Sequence, residues 1–179
     1  MRYFAFLRAI NVGGHIVKMD RLRTLFEGLK LKNVETFIAS GNVIFETRTA
    51  DEAALTRRIE KHLEQSLGYA VATFLRSGEE LRAMAKYQPF ARDQLDHPKH
   101  TLYVGLLQSP PARGAQSKLD TLRTPSDDFH IDGREFYWLI RTSFSESKVS
   151  GAVLEKALGM PATLRNINTI RRMAAKTAD

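Results

Sequence analysis

One order of pattern occurs twice along this chain, and it limits the possible folds more than any motif does. Short apolar runs and amphipathic runs follow each other as strand, helix, strand, strand, helix, strand. The order then restarts about 100 residues later. In the first pass Tyr3 to Leu7 reads as a strand. Met19, Leu22, Leu25, Phe26 and Leu29 recur at helical spacing and predict a helix over 19–30. Val34 to Ala39 and Val43 to Thr47 read as strands around the turn signal Ser40-Gly41-Asn42. Thr49 and Glu52 have capping-box spacing, and Leu55, Ile59, Leu63 and Leu67 carry a helix to Gly68. Ala70 to Leu75 is the fourth strand. Ser77 and Glu80 fit the cap of a connecting helix over about 78–87.

The second pass begins with Thr101 to Leu107. A helix over 112–123 follows, then Phe129 to Ile131 and Glu135 to Ile140 around Asp132-Gly133, a two-residue hairpin signal. Ser143 and Glu146 fit another capping box, ahead of a helix containing Val149 and Ala152 that runs to Gly159. Ala162 to Leu164 reads as a short strand, and Ile167, Ile170 and Met173 mark a terminal helix. The expected class is α+β: two fused ferredoxin-like βαββαβ units forming one compact body, with an additional C-terminal helix. The first unit and its connecting helix take residues 1–87, a linker with Pro89 and Pro98 takes 88–100, and the second unit takes 101–179. Phe4 and Phe6 point one way from the first strand and Ala5 and Leu7 the other, so both faces of that sheet should be covered.

Composition narrows the chemistry. The 179 residues contain no cysteine, which excludes disulfides, thiolate metal sites and a cysteine nucleophile and suits the cytoplasm. The N-terminal stretch lacks a signal-peptide pattern, and no apolar run is long enough to span a membrane. Lys plus Arg exceed Asp plus Glu by 27 to 20, a formal charge of +7. That excess favours anionic partners, nucleic acid or a phosphorylated small molecule. His62, His97, His100 and His130 are scattered without metal-binding spacing, and Asp127, Asp128 and Asp132 read as turn residues. No metal or organic cofactor is expected.

The first strand runs into Arg8-Ala9-Ile10-Asn11-Val12-Gly13-Gly14-His15-Ile16-Val17-Lys18. A right-handed crossover makes the first two strands parallel, so this loop and the turn Ser40-Gly41-Asn42 should share one end of the first sheet. A helix start beside glycine-bared amides is a recipe for holding an anion. The loop has neither the G-x-G-x-x-G nor the phosphate-loop spacing. A plain β-to-α connection, with Asn11 and the glycines serving positive-φ turns, explains the same residues.

Tyr3 to Gly14, with Val17-Lys18-Met19 and Leu22-Arg23, resembles the opening signature of an uncharacterised bacterial family, domain of unknown function 1697. Ser40-Gly41-Asn42-Val43-Ile44-Phe45 resembles its next signature, and Thr163-Leu164-Arg165-Asn166-Ile167-Asn168-Thr169-Ile170 its C-terminal one. The family usually has tryptophan where this chain has Ile167. The resemblance implies a duplicated α+β fold and no established activity. It draws in Arg165, Asn166 and Asn168 at the start of the terminal helix. One of the two asparagines serves as its cap, or the segment completes an anion site with the first loop. Lys148, expected in the first turn of the preceding helix, is placed against the helix dipole there.

Three functions fit these observations. The first is a binder of nucleic acid or a nucleotide, using Arg8, Asn11, Gly13, Gly14, Lys18, Ser40, Asn42, Arg165, Asn166 and Asn168. Stacking of bases on Phe4, Phe6, Phe45 and Tyr103 would need an open sheet face, whereas the pattern makes these residues core. The second is an enzyme acting on a phosphorylated small molecule, with Arg8 and Asn42 holding the phosphate and His15, in the loop, the candidate acid or base. Acylphosphatase is a fold-level analogy for it. The third is a protein-interaction module.

Overall fold

Two four-stranded antiparallel sheets organise the chain, and each is built on the same strand order. The computed structural model describes residues 1–38 and 41–177. It divides into two units, Met1–Arg82 and Ala83–Asp179. The fold is mixed α+β.

The first unit contains β1 (Arg2–Leu7), α1 (Met19–Glu27), β2 (Lys32–Thr36), β3 (Asn42–Glu46), α2 (Glu52–Leu67) and β4 (Thr73–Ser77), in the sheet order β2-β3-β1-β4. Helix α1 forms because Leu22 and Phe26 lie on one buried stripe. It stops three residues short of the sequence expectation, and Lys30 just beyond it has a left-handed φ of 59°. Helix α2 buries Leu55, Ile59 and Leu63 at four-residue spacing, and left-handed Gly68 ends it. Its cap is Asp51, which accepts from the Ala54 N–H, and not the expected Thr49. Tyr3, Ala5 and Leu7 of β1 join Phe26, Ile59 and Leu63 in one core. Phe4 and Phe6, on the other face of the strand, are fully buried too.

Helix α3 (Gly78–Lys86) follows β4, with the Ser77 and Glu80 capping box in place in both directions. The stretch expected as a linker holds a short helix, α4 (Arg92–Leu95). The second unit then contains β5 (Thr101–Leu106), α5 (Ala115–Asp120), β6 (Asp127–Asp132), β7 (Glu135–Ile140), α6 (Gly151–Leu158), β8 (Thr163–Asn166) and α7 (Ile167–Ala174). Its sheet order is β6-β7-β5-β8. Gly105 of β5 is obligatory, because an added Cβ would come within 2.0 Å of the Phe136 ring. The hairpin turns one residue later than expected: Asp132 pairs with Glu135, leaving Gly133 and Arg134 as the turn.

The Ser143–Glu146 capping box is formed, but it closes a single 3-10 turn over Phe144–Glu146. Helix α6 starts later, at the Ser150 cap. Lys148 therefore precedes that helix, outside its first turn, so the dipole misfit expected of it does not arise.

Candidate functional site

Strand β1 ends where the N–H groups of Leu7, its last residue, and of Arg8, just beyond it, are tied to two neighbouring connections. The Leu7 N–H donates to the Gly41 carbonyl at 2.8 Å, and the Arg8 N–H donates to the Ala72 carbonyl at 2.9 Å. The β1–α1 loop and the β2–β3 turn therefore meet at one end of the first sheet. Gly41 makes the meeting possible. Its φ is +79°, and an added Cβ would lie 2.7 Å from Ile10 Cγ2. The second unit repeats the tie, with the Leu107 N–H donating to the Arg134 carbonyl at 3.0 Å.

Beyond Leu7 the loop is held by its own polar groups. Asn11 Oδ1 accepts the Val17 N–H at 2.7 Å, and the buried Val17 and Ile10 anchor the two limbs. Tyr69 donates its hydroxyl to the Ile10 carbonyl at 3.0 Å. The His15 ring stacks on Tyr69 at 3.8 Å between centroids. Between these anchors the tip projects. Gly13 and Gly14 take φ values of +68° and +86°, with nothing within 4 Å of where a Cβ would be. Val12 and Ile16 are 63% and 84% exposed, a large apolar exposure for one short segment.

Lys18 closes the loop as the N-cap residue of α1. Its extended backbone (φ −65°, ψ 146°) starts the helix, and no side chain caps the first turn. The leading N–H groups of the helix therefore lack the acceptor that Ser, Thr, Asp or Asn would supply. Asp20 brings a negative charge to that turn, 93% exposed and 3.7 Å from Arg23.

The expected site residues have separate fates. Arg8, Asn11, Gly13, Gly14 and Lys18 share the loop, with Arg8 half-buried and Lys18 exposed. Asn42 is fully buried, and its amide donates to the Phe37 carbonyl at 2.9 Å, closing the β2–β3 connection. Ser40 lies outside the described residues. Arg165, Asn166 and Asn168 belong to the second unit. Arg165 is buried on β8 and donates to Thr163 Oγ1 and to the Leu164 carbonyl, each at 2.8 Å. Burial pulls its pKa down to about 10, so it stays charged at neutral pH. Asn166 is the cap of α7, its Oδ1 accepting the Asn168 N–H at 2.9 Å. The aromatic residues Phe4, Phe6 and Phe45 are fully buried, and Tyr103 is partly buried among Trp138 and Phe144. They offer no open stacking face.

A concavity lies at the opposite end of the first sheet. It has a volume of about 770 Å³ and lies between the end of α1, the start of β2 and the end of β3. Lys30, Lys32, Arg48 and Arg58 line it. The sequence reading missed it, because these four residues follow no motif spacing and only the fold assembles them.

With the geometry in view, comparison with known proteins adds a family. Residues 1–137 match the family model described as protein of unknown function (DUF1697), and the chain belongs to that family. The match spans the first two signature stretches and stops short of Thr163–Ile170. A solved structure described as that of conserved bacterial protein SP0830 from Streptococcus pneumoniae is 20% identical, with a TM-score of 0.76 over 98% of each chain. At that identity the likeness concerns fold alone. No curated protein matches the sequence. Among the described residues, no helix is long and apolar enough to cross a membrane.

Proposed function

We propose that this member of the DUF1697 family binds a phosphate group, carried by nucleic acid or a nucleotide, at the β1–α1 loop. The observation that carries the reading is the start of α1, a helix whose first turn no side chain caps, preceded by Lys18 and by two exposed left-handed glycines. A phosphate oxygen supplies what a cap would supply. It accepts the leading N–H groups and is favoured by the positive end of the helix dipole. Lys18 brings the counter-charge, and Arg8 supports it from the strand side. Asn11 fixes the loop from within. Asn42 does the same for the turn, so its role is to build the platform. The reading assigns this activity to the cytoplasm, in keeping with a cysteine-free chain.

We also propose that the fold is an internal duplication of a ferredoxin-like unit. Three features support it. The two sheets have the same strand order. Leu7 and Leu107 make the same tie to a turn carbonyl. Each last strand places a buried arginine opposite the first strand, Arg76 against Phe4 and Arg165 against Val104, one residue before a helix cap.

Anisotropy of a labelled single-stranded oligonucleotide over a salt series tests the binding claim. Log affinity should fall linearly with log salt, and Lys18→Ala should reduce the slope by about 0.7. A flat salt dependence contradicts phosphate contacts. A second reading draws on the exposed Val12 and Ile16, joined by Ile38 at 39% exposure beyond β2. They suit docking of a protein through an apolar loop tip. Loss of a partner with Ile16→Ser, and not with Lys18→Ala, would favour it.

A further inference from the structure

The end of the first sheet away from the glycine loop carries a different kind of surface. Lys30, Lys32, Arg48 and Arg58 surround the 770 Å³ cleft, and Glu46 is the one carboxylate among its lining residues. Glu46 is already engaged, accepting the Asn33 amide at 2.9 Å. Arg58 donates to the Leu29 carbonyl, which fastens its guanidinium over the end of α1 and offsets the negative pole of that helix. The side chains of Lys30, Lys32 and Arg48 make no ion pair among the described residues. Like charges gathered in a concavity repel one another and focus a positive potential into it.

The backbone points the same way. Lys30, in the α1–β2 connection, has a φ of 59°, and Asn33, where the register of β2 shifts, a φ of 49°, so two non-glycine residues beside the cleft are left-handed. Glycine takes that conformation without steric cost and is the usual residue there. The strained position holds a lysine at the rim of the cleft. Non-glycine residues held in this region cluster at ligand clamps and active sites. The neutral polar groups also suit an anion. Thr47 accepts the Thr49 N–H through Oγ1 at 3.2 Å, which leaves its hydroxyl hydrogen to donate.

We propose that this cleft binds a small phosphorylated anion carrying two or more negative charges. Its volume is that of a small-molecule site. Its four basic residues gather around one open concavity, which suits a compact ligand, whereas a long polymer would need a charged stripe. The proposal stands apart from the β1–α1 loop, which lies at the other end of the sheet.

Inorganic pyrophosphate, titrated into the full chain by calorimetry with amide shifts followed in parallel, tests it. Saturable binding is expected, with shifts at Lys30, Lys32, Thr47, Arg48 and Thr49 and not at Gly13 or Gly14. Lys32→Ala and Arg48→Ala should each weaken binding roughly tenfold, and Lys32→Arg should retain it. Lys30→Gly should raise the unfolding midpoint while weakening binding, the combination a purely structural lysine would not give. Absence of saturable binding overturns the proposal, as does binding indifferent to Lys32→Ala and Arg48→Ala. A single-stranded oligonucleotide that shifts these amides and resists displacement by pyrophosphate overturns it in favour of nucleic acid.

Discussion

The two ends of the first sheet use polar residues in opposite ways. At the glycine-loop end, asparagines, a tyrosine hydroxyl and backbone amides are spent on one another. Asn11 holds Val17, Tyr69 holds Ile10, Asn42 holds Phe37, and Gly41 lets the turn touch the loop. What remains for a ligand is mostly backbone, the start of α1 and two glycine amides, with Lys18 exposed beside them. At the cleft end the charges stand in solvent, and the local skeleton is held by Arg58 and a few main-chain bonds. The first surface is shaped by conformation and the second by charge. Glycine substitutions should therefore dominate at one end, and charge substitutions at the other.

The largest effect should come from Gly41→Ala. A left-handed alanine costs roughly 1–2 kcal/mol, and the 2.7 Å approach to Ile10 adds overpacking of about 1–3 kcal/mol. Urea unfolding should show a loss of about 3 kcal/mol, and a loss under about 1 kcal/mol would mean that the turn does not lean on the loop. Asn11→Ala comes next, at about 1–2 kcal/mol, since the Val17 N–H loses its acceptor in a partly buried site. Gly14→Ala meets open space, so only the left-handed strain remains, about 1 kcal/mol, the low end of that cost. At the cleft end the sign should reverse. Gly28 has a φ of −60°, and its added Cβ would make contacts no closer than 3.4 Å. Gly28→Ala should stabilise by about 0.5 kcal/mol by restricting the unfolded chain. If it destabilises, the contrast between the two ends fails.

Much of the fold was legible because its signals are local. The stripes Leu22–Phe26 and Leu55–Ile59–Leu63, the αL stop at Gly68 and the Ser77–Glu80 box each act within a few residues. Boundaries slipped where two local signals competed. Asp51 won the cap of α2 from Thr49, and Ser150 won α6 while Ser143 kept only a 3-10 turn. The loop was legible as a place, because parallel strands must end together, and Gly41 against Ile10 confirms that adjacency. The roles inside it were not legible. Whether an asparagine faces a ligand or its own backbone depends on geometry that type and spacing do not encode. Asn42 illustrates this, since its neighbours in sequence read as an exposed turn while its amide is buried. The cleft was invisible for a simpler reason. Lys30, Lys32, Arg48 and Arg58 come from a helix end, a strand start, a strand exit and a second helix, and no periodicity links them.

The most direct test of phosphate recognition at the loop is an amide shift map of the full chain titrated with a short single-stranded oligonucleotide at low salt. Phosphate recognition predicts saturable shifts concentrated at Gly13, Gly14, Met19, Asp20 and Arg21, abolished when salt is raised. Shifts confined to other surfaces, with these five amides unmoved, would contradict it.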